Sequence, residues 1–289
     1  MSNLDQNRST LSVRAKPVIS IIISTYNSPN YLGLVLEGYF SQKYDQPFEI
    51  IIADDGSTED TAHLIDYFRG NREASIVHVW QRDEGFQKCR VLNKAIAKSQ
   101  GILLLFTDGD CIPQPNMLKI HTSHAKRNYF LTGGYLKLSQ KVSRLITAHE
   151  VHSGAAFNPL WLIRNGLTPS AKLIKLISGS PFDKVANQFT PTRRTWNGHN
   201  ASCFRDDALA VNGFNETMQY GGEDVEFGLR LNNAGVQGKH IRFSTIPLHL
   251  YHNHSYVNSD MIIKNKAITM QTVSEKTTYA SIGVSQWID

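Results

Sequence analysis

Short apolar runs alternating with helix-length segments leave this chain few ways to fold. Residues 18–24 (VISIIIS), 48–53 (FEIIIA) and 103–106 (LLLF) are rich in isoleucine, valine and leucine and too short for helices. They read as buried strands, with 76–80 (IVHVW) as another. Between them, helices are expected over Tyr31–Gln42, Glu59–Arg69 and Gln87–Ser99. The last puts Val91, Leu92, Ala95 and Ile96 on one face, and Gly101 stops it. Strands alternating with helices of this length imply an α/β fold, a mainly parallel sheet with right-handed crossovers. With 289 residues, 41% of them hydrophobic, the chain suits one large domain with an elaborated second half.

That topology has a functional consequence, because ligands of such sheets bind beyond the carboxyl ends of the strands. Three polar turns fall there: Thr25-Tyr26-Asn27, Asp54-Asp55 and Asp108-Gly109-Asp110. The last sets two carboxylates two residues apart on a glycine-relaxed turn closed by Pro113 and Pro115. Such a pair can share a hard cation such as Mg²⁺ or Mn²⁺, and taken alone it also makes an ordinary Asx turn. Neither a G-x-G-x-x-G nor a G-x-x-x-x-G-K-[ST] loop is present, so both common phosphate loops are missing.

Composition narrows the remaining classes. Cys89, Cys111 and Cys203 are widely spaced without a C-x-x-C, which argues against a disulfide framework or zinc and for a reducing compartment. No apolar run reaches the ~18–20 residues that span a bilayer. Residues 1–16 are polar, with Arg8 and Arg14, and read as a disordered lead rather than a secretory signal. A cytoplasmic protein is expected, with a peripheral contact to the inner membrane face as an open alternative. The net charge of +5 favours anionic partners, but sparse basic clusters with few interleaved aromatics exclude a nucleic-acid groove.

The second half is less regular. Helical patches at 142–157 and 172–177 are broken by Pro159, Pro169, Pro181 and Pro191. Residues 171–177 (AKLIKLI) with Trp161, Leu162 and Ile163 form either a basic amphipathic membrane surface or a segment packed on the core. A polar loop, 196–204 (WNGHNASCF), runs into a short strand. At Gly221-Gly222-Glu223-Asp224 two glycines free the backbone and two acids open a helix, where its dipole favours them. His249, His252 and His254 follow at spacings of three and two, by themselves a weak metal signal.

Together these segments resemble family 2 glycosyltransferases of the GT-A (Rossmann-like) fold, over residues 17–255. The motifs stand in that family's order: ISIIISTYN (19–27), IIADDGST (51–58), DEGFQKCRVLNKAI (83–96), FTDGDCIP (106–113) and GGEDVEFGLRL (221–231). The last, with WNGHNASCF, is similar to the acceptor-side segment of β-1,4-galactosyltransferases and chondroitin-polymerase-type enzymes. The resemblance implies inverting transfer from a nucleotide sugar, most often UDP-linked, to a saccharide or lipid-linked glycan in surface polysaccharide synthesis. It assigns Thr25, Tyr26, Asn27, Asp54, Asp55, Phe86, Arg90, Asp108 and Gly109 to the nucleotide sugar, with Asp108 facing the ribose. Asp110 and His252 would hold Mn²⁺ or Mg²⁺, with His249 and His254 as alternates. Asp224 would be the general base, and Glu223, Gly221, Gly222, Trp196 and Asn200 would form the acceptor site.

The implied division is a lead at 1–16, a catalytic domain at 17–258 and a C-terminal helix and tail at 259–289. Within the domain, 17–115 would bind the nucleotide sugar and the mixed second half, 116–258, the acceptor. One departure stands out: many members carry Ala-Arg-Asn after the glycine loop, whereas here Val91-Leu92 separates Arg90 from Asn93. A sugar nucleotidyltransferase would want a glycine- and basic-rich first loop, which STYNSPN is not. A silent carbohydrate-binding protein would have no need of Asp108, Asp110, Asp224 and His252 together.

Overall fold

The structure is a computed structural model that describes residues 16–71, 75–177, 181–252 and 258–288. Its first half follows the expected alternation: β1 (Ile19–Thr25), α1 (Pro29–Phe40), β2 (Phe48–Asp54), α2 (Glu59–Asn71), β3 (Ser75–Trp80), α3 (Lys88–Lys98) and β4 (Leu103–Asp108). Next come β5 (Cys111–Pro113), α4 (Met117–His124), β6 (Tyr129–Thr132) and β7 (Leu136–Lys137). Four short helices follow, α5 (Gln140–Ser143), α6 (Ala148–His152), α7 (Pro159–Arg164) and α8 (Pro181–Phe189). The chain then forms β8 (Ala201–Phe204), α9 (Arg205–Ala210), α10 (Glu223–Asn233), β9 (Gln237–His240), β10 (Pro247–His249) and α11 (Ser259–Ser274).

Seven strands make one sheet in the order β3-β2-β1-β4-β8-β6-β9, in which β8 alone runs antiparallel to its neighbours. The unbroken apolar runs have a simple cause, since both sheet faces are covered. Ile21, Ile23, Ile50 and Ile52 join one core, under α1 and α2, while Ile22, Ile51, Leu104 and Phe106 join the other, under α3 and α10. Each such side chain, fully buried, contributes roughly 1.5–3 kcal/mol. β4 runs on past the apolar run to Asp108, which pairs opposite Ser24. Asp108 is therefore the last residue of a central strand rather than part of a free turn.

A second sheet, β5-β10-β7, brings distant residues to that turn. His249 lies opposite Cys111 on β5 and Lys137 on β7, and Leu250 N–H donates to the carbonyl of Asp110 at 2.9 Å. Residues 171–176 form a 3₁₀ turn whose apolar side chains divide: Leu173 and Leu176 enter the core, while Ile174 and Ile177 stay exposed. The C-terminal segment is integral to the second half. Asn265 of α11 donates to the carbonyls of Gln219 and Gly221, Val284 is buried, and Trp287 Nε1 donates to Glu216 at 2.7 Å. Among the described residues no helix is long and apolar enough to cross a membrane, and all three cysteines are free and buried.

Candidate active site

The loops after β1, β2 and β3 are tied into one wall. Asn27 N–H donates to Ser57 Oγ and its Oδ1 accepts from Thr58 N–H, while Tyr26, half exposed, donates to Asp83 at 2.9 Å. Asp54 faces inward, accepting from Ser57 N–H at 2.8 Å and contacting His78 Nε2 at 2.9 Å, so it holds the turn. Asp55 accepts from Gln81 Nε2 and Gln87 N–H, and burial raises its carboxyl above the usual range. Of the two, Asp55 stands against the loop that opens α3. Arg90 is bound to Glu84 and Gln81, which keeps it at this end of the site. Phe86 packs edge-on against Tyr220 at 5.5 Å and so joins this wall to the segment that precedes Gly221.

The cation that reaches the centre is Lys88, the first residue of α3, which the sequence reading passed over. Its Nζ donates to Asp108 Oδ1 at 2.8 Å, and Ser24 Oγ donates to the same oxygen at 2.6 Å. Burial opposes the charge on Lys88, but Asp108, Asp224 and Glu223 together hold its ammonium well above the usual lysine range. Reciprocally, although burial works the other way, Lys88 and Ser24 keep the Asp108 carboxyl below its ordinary value. Only the weak signal of a lysine opening a helix beside a carboxylate turn could have flagged it.

Asp224 stands at the start of α10, after two glycines in the left-handed region, Gly221 (φ 103°) and Gly222 (φ 91°), where a side chain would be strained. One carboxylate oxygen accepts from Gly198 N–H at 2.9 Å, and the other is buried without a partner. Burial first, then Glu223 and Asp108, push its carboxyl up to about 7 despite Lys88 and the Gly198 N–H. Gly198 is required sterically, because a Cβ there would lie 2.7 Å from Asp224 Oδ2. Glu223 is buried and accepts from Gly221 N–H at 2.9 Å, closing the turn.

Trp196 and Asn200 are placed inside the protein and do not face a cleft. Trp196 packs against Phe106 and Phe227 at 5.4 and 4.8 Å in the core. Asn200 spends its amide on the carbonyls of Gly134 and Thr245 and its Oδ1 on His121. Both side chains are buried, Asn200 with its amide engaged and Trp196 with Nε1 lacking a hydrogen-bond partner, so either would shape an acceptor site from behind its surface. The loop's neighbour His199 does come to the site, where burial lowers its imidazole to about 4 and it stays neutral beside Asp108.

At the remaining corner, His252 Nε2 lies 3.1 Å from Asp110 Oδ2. His249 stacks on His252 at 5.2 Å, and its ligating nitrogen groups with Asp110 and Cys111 within 4.8 Å. Burial and Asp108 raise the Asp110 carboxyl, while both histidines pull it down. A divalent cation suits this corner: a carboxylate with one or two imidazoles leaves coordination positions for phosphate oxygens. Cys111 is a poor ligand, because burial holds its thiol well above the usual range. Geometry admits both His249 and His252, and His254 lies outside the described residues.

Comparison with known proteins agrees with this architecture. Residues 20–172 match the family model described as glycosyl transferase family 2, and residues 182–253 match the N-terminal domain of galactosyltransferase. A hyaluronan synthase of Pasteurella multocida is 31% identical over 75% of this chain and 23% of its own length. A chondroitin synthase of Escherichia coli is 26% identical over 90% of this chain and 38% of its own. The chain thus spans well under half of these relatives. Among solved structures, S. aureus TarS 1-349 in complex with UDP-GlcNAc superposes with a TM-score of 0.62 at 14% identity, over 93% of this chain and 69% of that one. The fold shared is the GT-A arrangement of a mostly parallel sheet between helices.

Proposed function

The chain belongs to glycosyl transferase family 2, and from that premise we propose that it is a metal-dependent inverting glycosyltransferase. It would move a sugar from a UDP-linked donor to a hydroxyl of a saccharide or lipid-linked glycan, in surface polysaccharide or lipopolysaccharide synthesis. The observation that carries this reading is Asp224: a buried carboxylate with one oxygen unpartnered and its carboxyl pushed up to about 7. A carboxylate of that basicity is suited to take the proton of an attacking hydroxyl, a role that contributes roughly 10²–10⁴-fold.

The other residues divide the work around it. Gly198 N–H fixes one oxygen of Asp224 and leaves the other without a partner, to accept from the acceptor hydroxyl. Thr25, Tyr26, Asn27 and Asp55 take the nucleoside, Phe86 packs at its edge, and Asp108 faces the ribose while Lys88 holds it ionised. Asp110 with His252, or with His249, would bind Mn²⁺ or Mg²⁺, which supplies Lewis-acid neutralisation of charge on the departing diphosphate. Direct inversion requires the base and the charge that steadies the leaving group to act on opposite faces of the sugar, roles that Asp224 and the Asp110 corner would divide. For a lipid-linked acceptor, the exposed Leu160, Ile174 and Ile177 are where the chain would touch a membrane. A panel of UDP-, GDP- and TDP-sugars, with and without Mn²⁺, read by thermal shift and released nucleotide, tests the proposal. UDP-sugars with Mn²⁺ should stabilise the protein and be turned over; no response to any nucleotide sugar would overturn it.

A further inference from the structure

Beside β10, a cavity of about 520 Å³ opens between β7, the 171–176 turn and the segment after β9. Its charged lining is wholly cationic, made of Lys137, Lys172, Lys175 and Arg242 without an Asp or Glu. None of the four takes part in a salt bridge among the described residues. Lys175 Nζ and Arg242 Nε flank Gly134 closely: a Cβ on that glycine would meet them at 3.5 and 3.6 Å. Arg242 Nη1 donates to Thr192 Oγ1, but its Nε is buried with no hydrogen-bond partner. A buried donor left unmatched is costly, and two adjacent cations without a counter-charge add repulsion. Burial, Arg242 and Lys172 accordingly lower the Lys175 ammonium. An anion seated between them would relieve all three.

This cavity shares a wall with the reaction site. Tyr135 lines it, and the same ring lies 4.5 Å from His199 and 5.6 Å from His249. Lys137 is the strand partner of His249. The larger cavity, about 690 Å³ beside Val18, Lys43 and Lys119, contains none of the site's residues. We propose that the cationic cavity is a subsite for an anionic acceptor, seating a carboxylate or phosphate group carried by the saccharide near the hydroxyl that reacts. The proposal rests on the glycosyl-transfer reading above. The donor's nucleoside is assigned to the loops after β1, β2 and β3 and its diphosphate to Asp110 and the histidines, and none of the nucleoside residues lines this cavity. A guanidinium edge beside an ammonium suits the paired oxygens of either anion.

Calorimetric titration of the full chain with glucuronic acid, glucose 6-phosphate and glucose tests it, on wild type, Arg242→Gln, Lys175→Gln and the double variant. Wild type should bind at least one of the anionic sugars and prefer it to glucose, with the tighter of the two identifying carboxylate or phosphate. Each single substitution should weaken that binding by roughly tenfold, as for loss of a charge-assisted hydrogen bond, and leave UDP affinity unchanged. Equal binding of glucose and the anionic sugars, or anion binding unaffected in the double variant, would overturn the subsite. So would binding to phosphatidylglycerol vesicles that the double variant loses while no sugar binds, which would make the patch a membrane contact. If no nucleotide sugar is turned over but charge-dependent sugar binding persists, the enzymatic reading fails and the anion site stands; turnover without that dependence is the reverse.

Discussion

Replacing Asp224 by asparagine should cripple transfer and, at the same time, stabilise the fold in alkaline solution. The carboxyl is raised from 3.8 to about 7, chiefly by burial and then by Glu223 and Asp108, against the pull of Lys88. At about 1.36 kcal/mol per pH unit, holding this group ionised costs the native state up to about 4 kcal/mol. Because the folded value lies above the unfolded one, the unfolded chain releases its proton first as pH rises. Stability contributed by this group is therefore complete in acid, falls between about pH 4 and 7, and is flat above. Asparagine never ionises, and its Oδ1 can still accept from Gly198. Urea unfolding of variant and wild type should agree at about pH 4 and diverge by as much as about 4 kcal/mol at about pH 8, the variant being the more stable. Transfer should drop roughly 10²–10⁴-fold in kcat/KM with UDP affinity kept, and the wild-type kcat/KM should climb as pH passes about 7. A variant equally destabilised at both pH values, or one with near-normal turnover, would refute the assignment.

Three other perturbations follow from the same geometry. Lys88→Met removes the chief influence that lowers the Asp224 carboxyl, so the acid limb of the kcat/KM profile should move to higher pH; an unmoved limb would detach Lys88 from the base. Asp110→Asn should eliminate Mn²⁺-dependent turnover, and His252→Ala should weaken Mn²⁺ binding measured by titration. Full activity in EDTA would sink the metal site, and an effect confined to His249→Ala would transfer the ligand role. Arg230, fully buried, pairs with Glu226 through two contacts of 2.8 and 2.9 Å; Arg230→Met strands that carboxylate and should cost roughly 3–5 kcal/mol in urea unfolding, with a loss under about 1 kcal/mol disproving the coupling.

How far the sequence reached depended on the range of the interactions involved. Strands such as 19–25 and 48–54 were readable because burial on both faces leaves an unbroken isoleucine pattern, and their ends located Thr25, Asp55 and Asp108 at one edge. The 171–177 stretch had two readings because its apolar residues serve both: Leu173 and Leu176 inside, Ile174 and Ile177 outside. Trp196 and Asn200 are hard to place from sequence because polar and aromatic residues in a loop look alike whether they face a ligand or a neighbouring strand. Only the contacts of Asn200 with Gly134, Thr245 and His121 separate the two cases. Lys88 and the Lys175–Arg242 pair were illegible for a related reason. Their meaning lies in what stands next to them, residues 20 to 136 positions away in the first case and 67 in the second.

The small sheet β5-β10-β7 also sets the order in which the candidate site can be assembled. Its middle strand, residues 247–249, must pair with residues made more than a hundred positions earlier before a histidine can stand beside Asp110. During synthesis the wall of loops after β1, β2 and β3, encoded before residue 110, can form early, since chains tend to fold from the N-terminus as they emerge at roughly 5–20 residues per second. The corner where His252 meets Asp110 has to wait until residue 252 has been made. On this order the two parts of the proposed site mature separately, the strand-end loops first and the Asp110–His252 corner last.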